Sequence, residues 1–234
     1  MKILLTSALA IFSFSCFAQK VVDVDKSDGV PINSFYTVNG TPVSNVRYVR
    51  VTDGTPYFRD SWMKGVAISA KDARYQNPRV KLDLMDNEVH FLVDRESELI
   101  CTIPLKDITL TDTINGTSYH FVWSPAVPGL SSVKKGWYLQ LAEGKASLYQ
   151  VFNKTIQEFK PFNSPVAEQK IVTTEDYLLA YNGSLLHPKK WKEIPALLAD
   201  KKEALDAFLK TDRMKEGSNA ERMAAIVSYY NSLQ

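Results

Sequence analysis

The chain has 234 residues, of which 45% are apolar and 23% charged, and its formal net charge at pH 7 is +2. This composition predicts a packed core and excludes a largely disordered chain. A nearly neutral chain also lacks the basic surface by which proteins hold nucleic acid, so no nucleic-acid partner is expected.

The N-terminus has the layout of a secretory signal peptide over residues 1–18. A short positive start precedes a mostly apolar run over residues 3–17, and Cys16 and Ala18 place small side chains at the positions that signal peptidase inspects. We therefore expect cleavage before Gln19 and an exported protein, in the periplasm or outside the cell. Beyond this leader no segment reaches the roughly 18–20 uninterrupted apolar residues of a transmembrane helix.

Cys16 allows an alternative to this cleavage. Bacterial lipoproteins retain a lipidated cysteine as their first mature residue, preceded by a small residue and, three places earlier, by a leucine-like one. Ser15 meets the first requirement and Ser13 does not meet the second. We therefore favour a chain that begins at Gln19 and keep lipoprotein anchoring at Cys16 as the alternative.

The next segments divide into an N-terminal arm over 19–45 and a β-rich domain over 46–187. The arm is polar and broken by glycine and proline, whereas the domain alternates apolar and polar residues with the period of a β-strand, as in residues 79–84. Turn signals separate these runs, among them Asn115-Gly116 and Asn182-Gly183. The pattern predicts a series of antiparallel hairpins.

A C-terminal helical segment is predicted over 188–234, packed on the β-rich domain. Its apolar residues recur at helical spacing, Asp200 is a candidate N-cap, and Ser218 with Glu221 fits a capping box. Strands that precede helices along the chain are typical of an α+β fold. We expect mainly antiparallel β structure, as a curved meander or a two-layer sheet, with two to three C-terminal helices.

With these elements the chain resembles a group of uncharacterised secreted proteins common in Bacteroidota. The resemblance is carried by the stretch 55–65 with the strands that follow it, by the paired segments 136–141 and 146–151, and by the tail that ends in Tyr229-Tyr230-Asn231. It implies export and the order of strands before helices. It implies no activity and no catalytic residue.

The residues that most often carry chemistry are dispersed. His90 and His120 alternate onto the polar faces of their strands, where we expect solvent-exposed histidines, and Cys101 lies in an apolar row without a neighbouring base. Asp83 and Glu88 flank one turn, where acidic residues are common for backbone reasons. We assign no catalytic residue, no metal ligand and no cofactor, and leave open whether the protein is an enzyme.

Two surfaces are candidates for binding. Five aromatic residues could line a ligand groove or fill the core: Tyr57, Phe58, Trp62, Trp123 and Trp137. A lysine cluster around Trp191 is either a solvated helix face or a contact for phosphate-bearing envelope polymers or lipids. We favour a non-catalytic envelope or extracellular module that binds a protein or a glycan. The alternatives are a hydrolase of envelope glycan or polymer and a carrier of a lipid or other apolar ligand.

Overall fold

The computed structural model describes residues 32–34, 40–42, 50–94, 97–130, 132–162 and 166–233. The predicted signal peptide, with Cys16, lies outside the described residues, so neither the leader nor the lipoprotein alternative is addressed by the fold. Within the predicted arm, two short strands are described.

The predicted fold class is confirmed, because the described residues form a mostly antiparallel sheet followed by three α-helices. The strands are β1 (Ile32–Ser34), β2 (Gly40–Pro42), β3 (Val51–Asp53), β4 (Met63–Ser69), β5 (Arg74–Asp83), β6 (Glu88–Leu92), β7 (Glu98–Cys101), β8 (Leu105–Thr111), β9 (Ser118–Trp123), β10 (Trp137–Ala142), β11 (Ala146–Phe159), β12 (Glu168–Tyr181) and β13 (Ser184–Leu186). The helices are α1 (Ile194–Leu197), α2 (Lys202–Phe208) and α3 (Asn219–Ser232).

The sheet order is β13-β12-β11-β10-β9-β8-β4-β5-β6-β7-β2, with β1 parallel to β5 and β3 parallel to β12. Strand β8 thus pairs with β4, although it follows β7 after only three residues, 102–104. In a flat sheet β7 and β8 would lie four strand spacings apart, about 19 Å. Three connecting residues span at most about 14 Å. Strands β4–β8 must therefore curl towards a small, partly closed barrel.

The curl is made in β5, which changes partners along its length. Its first part pairs with β4 and its last part with β6, and the register with β4 shifts between Gly65 and Met63. Asn77, at the bend and 1% exposed, donates to the carbonyl of Leu92 at 3.1 Å and accepts from the N–H of Arg79 at 2.7 Å. A Cβ on Gly65 would lie 2.6 Å from Val80, so glycine allows the close crossing.

The barrel encloses one apolar core, and the C-terminal helices cover a second. Val80, Leu82, Phe91, Ile108 and Phe121 are fully buried in the first. The second joins β10, β11 and β12 to all three helices, and its fully buried members include Leu148, Leu179, Leu205, Ile226 and Tyr230. No helix in the described part of the chain combines the length and apolarity needed to cross a bilayer.

The long ribbon of β11 and β12 was not predicted at its full length. Its fourteen residue pairs run from Ala146↔Tyr181 to Phe159↔Glu168, whereas the apolar alternation on the first of these strands ends near Phe152. The outer half of β11 carries partly exposed polar side chains on both faces. Its strand structure therefore depends on backbone hydrogen bonds to β12, and such pairing produces no alternation of apolar and polar residues in the sequence.

Local helix signals were read correctly in one case and wrongly in another. Ser218 and Glu221 form the predicted capping box at the start of α3. Asp200 does not cap α2, which begins at Lys202 without a side-chain cap. The carboxylate of Asp200 instead accepts a hydrogen bond from the hydroxyl of Tyr230, with an O···O distance of 2.9 Å. A tertiary contact therefore replaces the predicted local one.

The side chain of Asn231 fastens α3 to the turn between β10 and β11. Its Oδ1 accepts from the N–H of Ala146 at 3.0 Å, and its Nδ2 donates to the carbonyls of Glu143 and Ala146 at 3.1 and 2.8 Å. Gly144 lies directly beneath it, since a Cβ there would come within 2.5 Å of the amide nitrogen. The last residue of the Tyr-Tyr-Asn stretch therefore has a structural role.

Replacing Asn231 by alanine should lower the free energy of unfolding by about 2–3 kcal/mol, because three backbone groups lose a partner and those shielded from water stay unsatisfied. Urea unfolding measures the change. Ser228→Ala on an exposed face of the same helix is the control and should change stability by less than about 0.5 kcal/mol. Equal effects of the two substitutions would contradict this role for Asn231.

Candidate functional site

The five aromatic residues that were candidates for a ligand groove or for the core lie in three places. Trp123 and Trp137 line a cavity at one end of the barrel. Phe58 packs edge-on against Tyr119 and Phe121 beside a second cavity. Tyr57 and Trp62 line neither of these cavities.

Tyr57 and Trp62 surround the ammonium group of Lys81. The nitrogen lies 4.7 Å from the centre of the tyrosine ring and 4.9 Å from that of the indole, within the range of a cation–π interaction. It also forms an ion pair with Asp60 at 2.9 Å. Because the side chain of Lys81 is only 13% exposed, this cation is satisfied within the fold.

The cavity beside Trp123 and Trp137 has a volume of about 960 Å³ and is called here the tryptophan cavity. It lies where β7 and β8 approach each other, so its wall combines the connection 102–104 with the ends of several strands. Its remaining apolar wall includes Ile100, Ile103, Pro104, Pro125 and Ala126. Cys101 also lines it and is half-buried, in keeping with the apolar row predicted for this residue.

The two indoles are held in place from the backbone. Trp123 and Trp137 are directly paired across β9 and β10, with ring centres 5.3 Å apart and planes inclined by 54°. Asn87, at the turn between β5 and β6, accepts from both the N–H and the indole Nε1–H of Trp137, at 3.3 and 3.2 Å. Ser124 ties the following loop by accepting from the N–H of Gly136 at 3.1 Å. The aromatic wall is therefore preorganised.

Charged groups complete the wall of the tryptophan cavity. Asp72 and Lys106 form an ion pair with each other, and Glu88 is the first residue of β6. The side chain of Asp72 is 79% exposed and that of Glu88 40%, so neither carboxylate is withdrawn from water. A cavity with flat apolar faces and a charged, hydrated rim suits a ligand of mixed character.

The prediction that His90 is solvent-exposed is wrong, because the residue is 3% exposed. Its Nδ1 lies 2.7 Å from a carboxylate oxygen of Glu98, and its Nε2 lies 3.4 Å from Glu88 without hydrogen-bond geometry. Tyr57 packs against the imidazole, with ring centres 5.4 Å apart. His120 is half-buried and lies 3.1 Å from the hydroxyl of Thr109, so the two histidines have different partners.

A second cavity of about 920 Å³ lies between the sheet and the start of α3. Within it Glu175 accepts from the amide of Gln150 at 2.8 Å and from the hydroxyl of Tyr177 at 3.2 Å. Burial, with the charge of Glu175, raises the pKa of Tyr177 to about 12, and burial lowers the pKa of Lys154. Lys154 donates to the carbonyl of Thr55 at 2.8 Å, which makes it part of the scaffold.

Among the described residues, no group of three or more His, Cys, Asp or Glu side chains is arranged to hold a metal ion. Comparison with known proteins gives no match among protein-family models and no significant match among curated proteins or solved structures. The resemblance to secreted proteins of Bacteroidota therefore stays a prediction from the sequence.

Asp83 illustrates the structural use of an acidic residue at a turn, as predicted. It is 3% exposed, and its Oδ1 accepts from the N–H groups of Met85 and Asp86 at 2.7 and 2.8 Å. Burial raises the pKa of this carboxyl, although the two N–H groups act in the opposite direction.

The folded protein holds the proton on Asp83 more tightly than the unfolded chain does. The contribution of this residue to the free energy of unfolding should therefore fall as the pH rises from the ordinary aspartate pKa through the raised pKa of the folded state. Asp83→Asn keeps the acceptor and removes the charge. Its stability relative to wild type should therefore increase between about pH 3 and pH 7 in urea unfolding.

Asp53→Asn is the matched control of opposite sign. Lys170 lowers the pKa of Asp53 through a hydrogen bond and its charge, so this variant should lose relative stability as the pH rises over that interval. The same trend in both variants would contradict the assignment for Asp83.

Proposed function

We propose that the protein is an exported, non-catalytic module that binds a glycan in the tryptophan cavity. The observation that carries the proposal is the preorganised pair of indoles, Trp123 and Trp137, in a cavity large enough for a few sugar rings. A sugar ring presents apolar C–H faces and a rim of hydroxyl groups. The half-buried indole of Trp123, which packs on the buried ring of Trp137, matches the former, and groups such as Asn87 and Glu88 are suitable partners for the latter.

The composition of the wall favours this ligand over a lipid tail. Asp72, Glu88 and Lys106 all line the tryptophan cavity, and an apolar chain would offer these charged groups no hydrogen bonds in place of the water that it displaces.

The same wall argues against hydrolysis. A glycosidase needs a general acid whose pKa is raised by a shielded environment. Asp72 is largely exposed and paired with Lys106. Glycan binding without turnover is therefore the function that we put to the test.

The first experiment is an oligosaccharide array followed by titration of the best ligand. Trp123→Ala should weaken binding at least about tenfold, the loss expected from about 1.4 kcal/mol at a buried aromatic contact. Trp62→Ala, a tryptophan outside the tryptophan cavity, should leave the dissociation constant unchanged. Absence of any glycan ligand, or equal losses in both variants, would reject the proposal, and release of new reducing ends would favour the hydrolase.

Cys101 gives a second readout that does not perturb the indoles. In the mature chain that we expect to begin at Gln19 it is the single cysteine, and burial raises its pKa, so its reaction with a maleimide should be slow. A glycan in the tryptophan cavity should slow it further. An unchanged rate at saturating glycan would place the ligand elsewhere.

Export has its own test in the mass of the mature protein from its native host. A chain that begins at Gln19 is expected, which corresponds to free export after cleavage by signal peptidase. A diacylated N-terminus at Cys16 would establish the lipoprotein alternative instead. A chain that retains Met1 would contradict export altogether.

A further inference from the structure

A separate cavity, with a volume of about 610 Å³, lies where the start of the helical segment meets α3. We call it the cationic pocket; its lining consists of Lys189, Lys190, Trp191, Lys192, Asn219 and Arg222. Four of these six side chains carry a positive charge and none carries a negative one. Nothing in the tryptophan cavity or its proposed ligand involves these residues.

Within the part of the chain that the structure describes, the four cations of the pocket form no ion pair with a carboxylate. Some lysines elsewhere have one, such as Lys81 with Asp60 and Lys145 with Asp200 at 3.4 Å. Among the described residues, no carboxylate lies within 4.0 Å of the charged nitrogens of the pocket. The neighbouring Glu193 directs one oxygen to the backbone N–H of Lys189 at 2.9 Å. The like charges therefore repel one another, and a bound anion would relieve that repulsion.

The pocket is built on a fixed frame. Asn219, the first residue of α3, accepts from the N–H of Trp191 at 3.0 Å and donates to the carbonyl of Lys189 at 3.0 Å. The indole of Trp191 lies 5.2 Å from the ammonium of Lys192 and 5.5 Å from the guanidinium of Arg222. These contacts place Lys192 and Arg222 beside the same indole, at the positive end of a fourteen-residue helix.

Arg222 adds a guanidinium to the ammonium groups that line the pocket. One of its terminal nitrogens donates to the carbonyl of Lys215 at 2.9 Å, which fixes the guanidinium. Its Nε–H is buried and has no hydrogen-bond partner within the described residues. A guanidinium beside several ammonium groups is the donor set that phosphate prefers, since arginine offers a planar fork and lysine adds charge.

We infer that the cationic pocket binds a phosphate group. The group can belong to a free phosphate or phosphorylated sugar, or to the headgroup of a phospholipid, because both present the same tetrahedral oxygens to these donors. The inference is independent of the glycan proposal, because the two cavities share no residue.

The test uses the full mature protein with three probes: inorganic phosphate, pyrophosphate, and vesicles with or without phosphatidylglycerol. The pocket variant is Lys190→Gln with Lys192→Gln, two exposed positions at which folding should not suffer. The matched control, Lys201→Gln with Lys210→Gln, removes the same charge from exposed positions outside the pocket. Calorimetry or sedimentation with vesicles gives the dissociation constants.

The pocket variant should weaken binding at least about tenfold and the control less than about twofold, because contact with the phosphate adds to the long-range field. Loss confined to the soluble probes identifies a free phosphate group, and loss confined to the vesicles identifies a lipid headgroup. Equal weakening by both variants would reduce the effect to net charge and overturn the inference. Failure of wild type to bind any probe would also overturn it.

Trp191 provides an internal reporter, because its indole lies beside two of the cations. Phosphate should change the tryptophan emission of the wild type, and Trp191→Phe should abolish that change. A signal that persists in Trp191→Phe would place the phosphate elsewhere.

Discussion

The connection between Cys101 and Leu105 is the constraint on which the sheet depends. Three residues cannot bridge four strand spacings, so β7 and β8 must approach each other and the strands between them must curl. Asn77 and Gly65 make the bend possible, the first by hydrogen bonds and the second by the absence of a side chain. The same curl brings the connection, the start of β6 and the two tryptophans to one end of the barrel. The tryptophan cavity is therefore a consequence of how the chain closes.

The second half of the sheet depends on α3 instead. The fully buried ring of Tyr230 packs edge-on against Tyr181, and its hydroxyl donates to Asp200. Burial raises the pKa of Tyr230, so the phenol stays protonated and can act as this donor. Asn231, which forms the clamp on the turn after β10, is the next residue after Tyr230, while the opposite end of the helix carries Asn219 and Arg222. The packing of one helix thus sets both the turn after β10 and the frame of the cationic pocket.

What could be predicted from the sequence follows the range of the interactions. Strand alternation, the Asn-Gly turns and the capping box at Ser218 depend on near neighbours, and these were read correctly. His90 was misplaced because alternation assigns it to a polar face but does not show that Tyr57 and Glu98 cover that face. The segment around Tyr57 reaches it by pairing with the end of β5, a contact between residues far apart in the chain. The cavities also form from such contacts. The aromatic residues could therefore be identified from the sequence, but not which of them lie together.

The two lysine–aromatic clusters show what separates a structural contact from a candidate site. Lys81 lies between Tyr57 and Trp62, and Asp60 completes the arrangement with an ion pair at 2.9 Å. Lys192 and Arg222 stand beside Trp191 in a similar way, yet no carboxylate of the described residues reaches them. Since an aromatic ring offsets only part of the cost of gathering cations, the first cluster is electrostatically complete and the second is not. This difference is the reason for inferring an anionic ligand at the second cluster and none at the first.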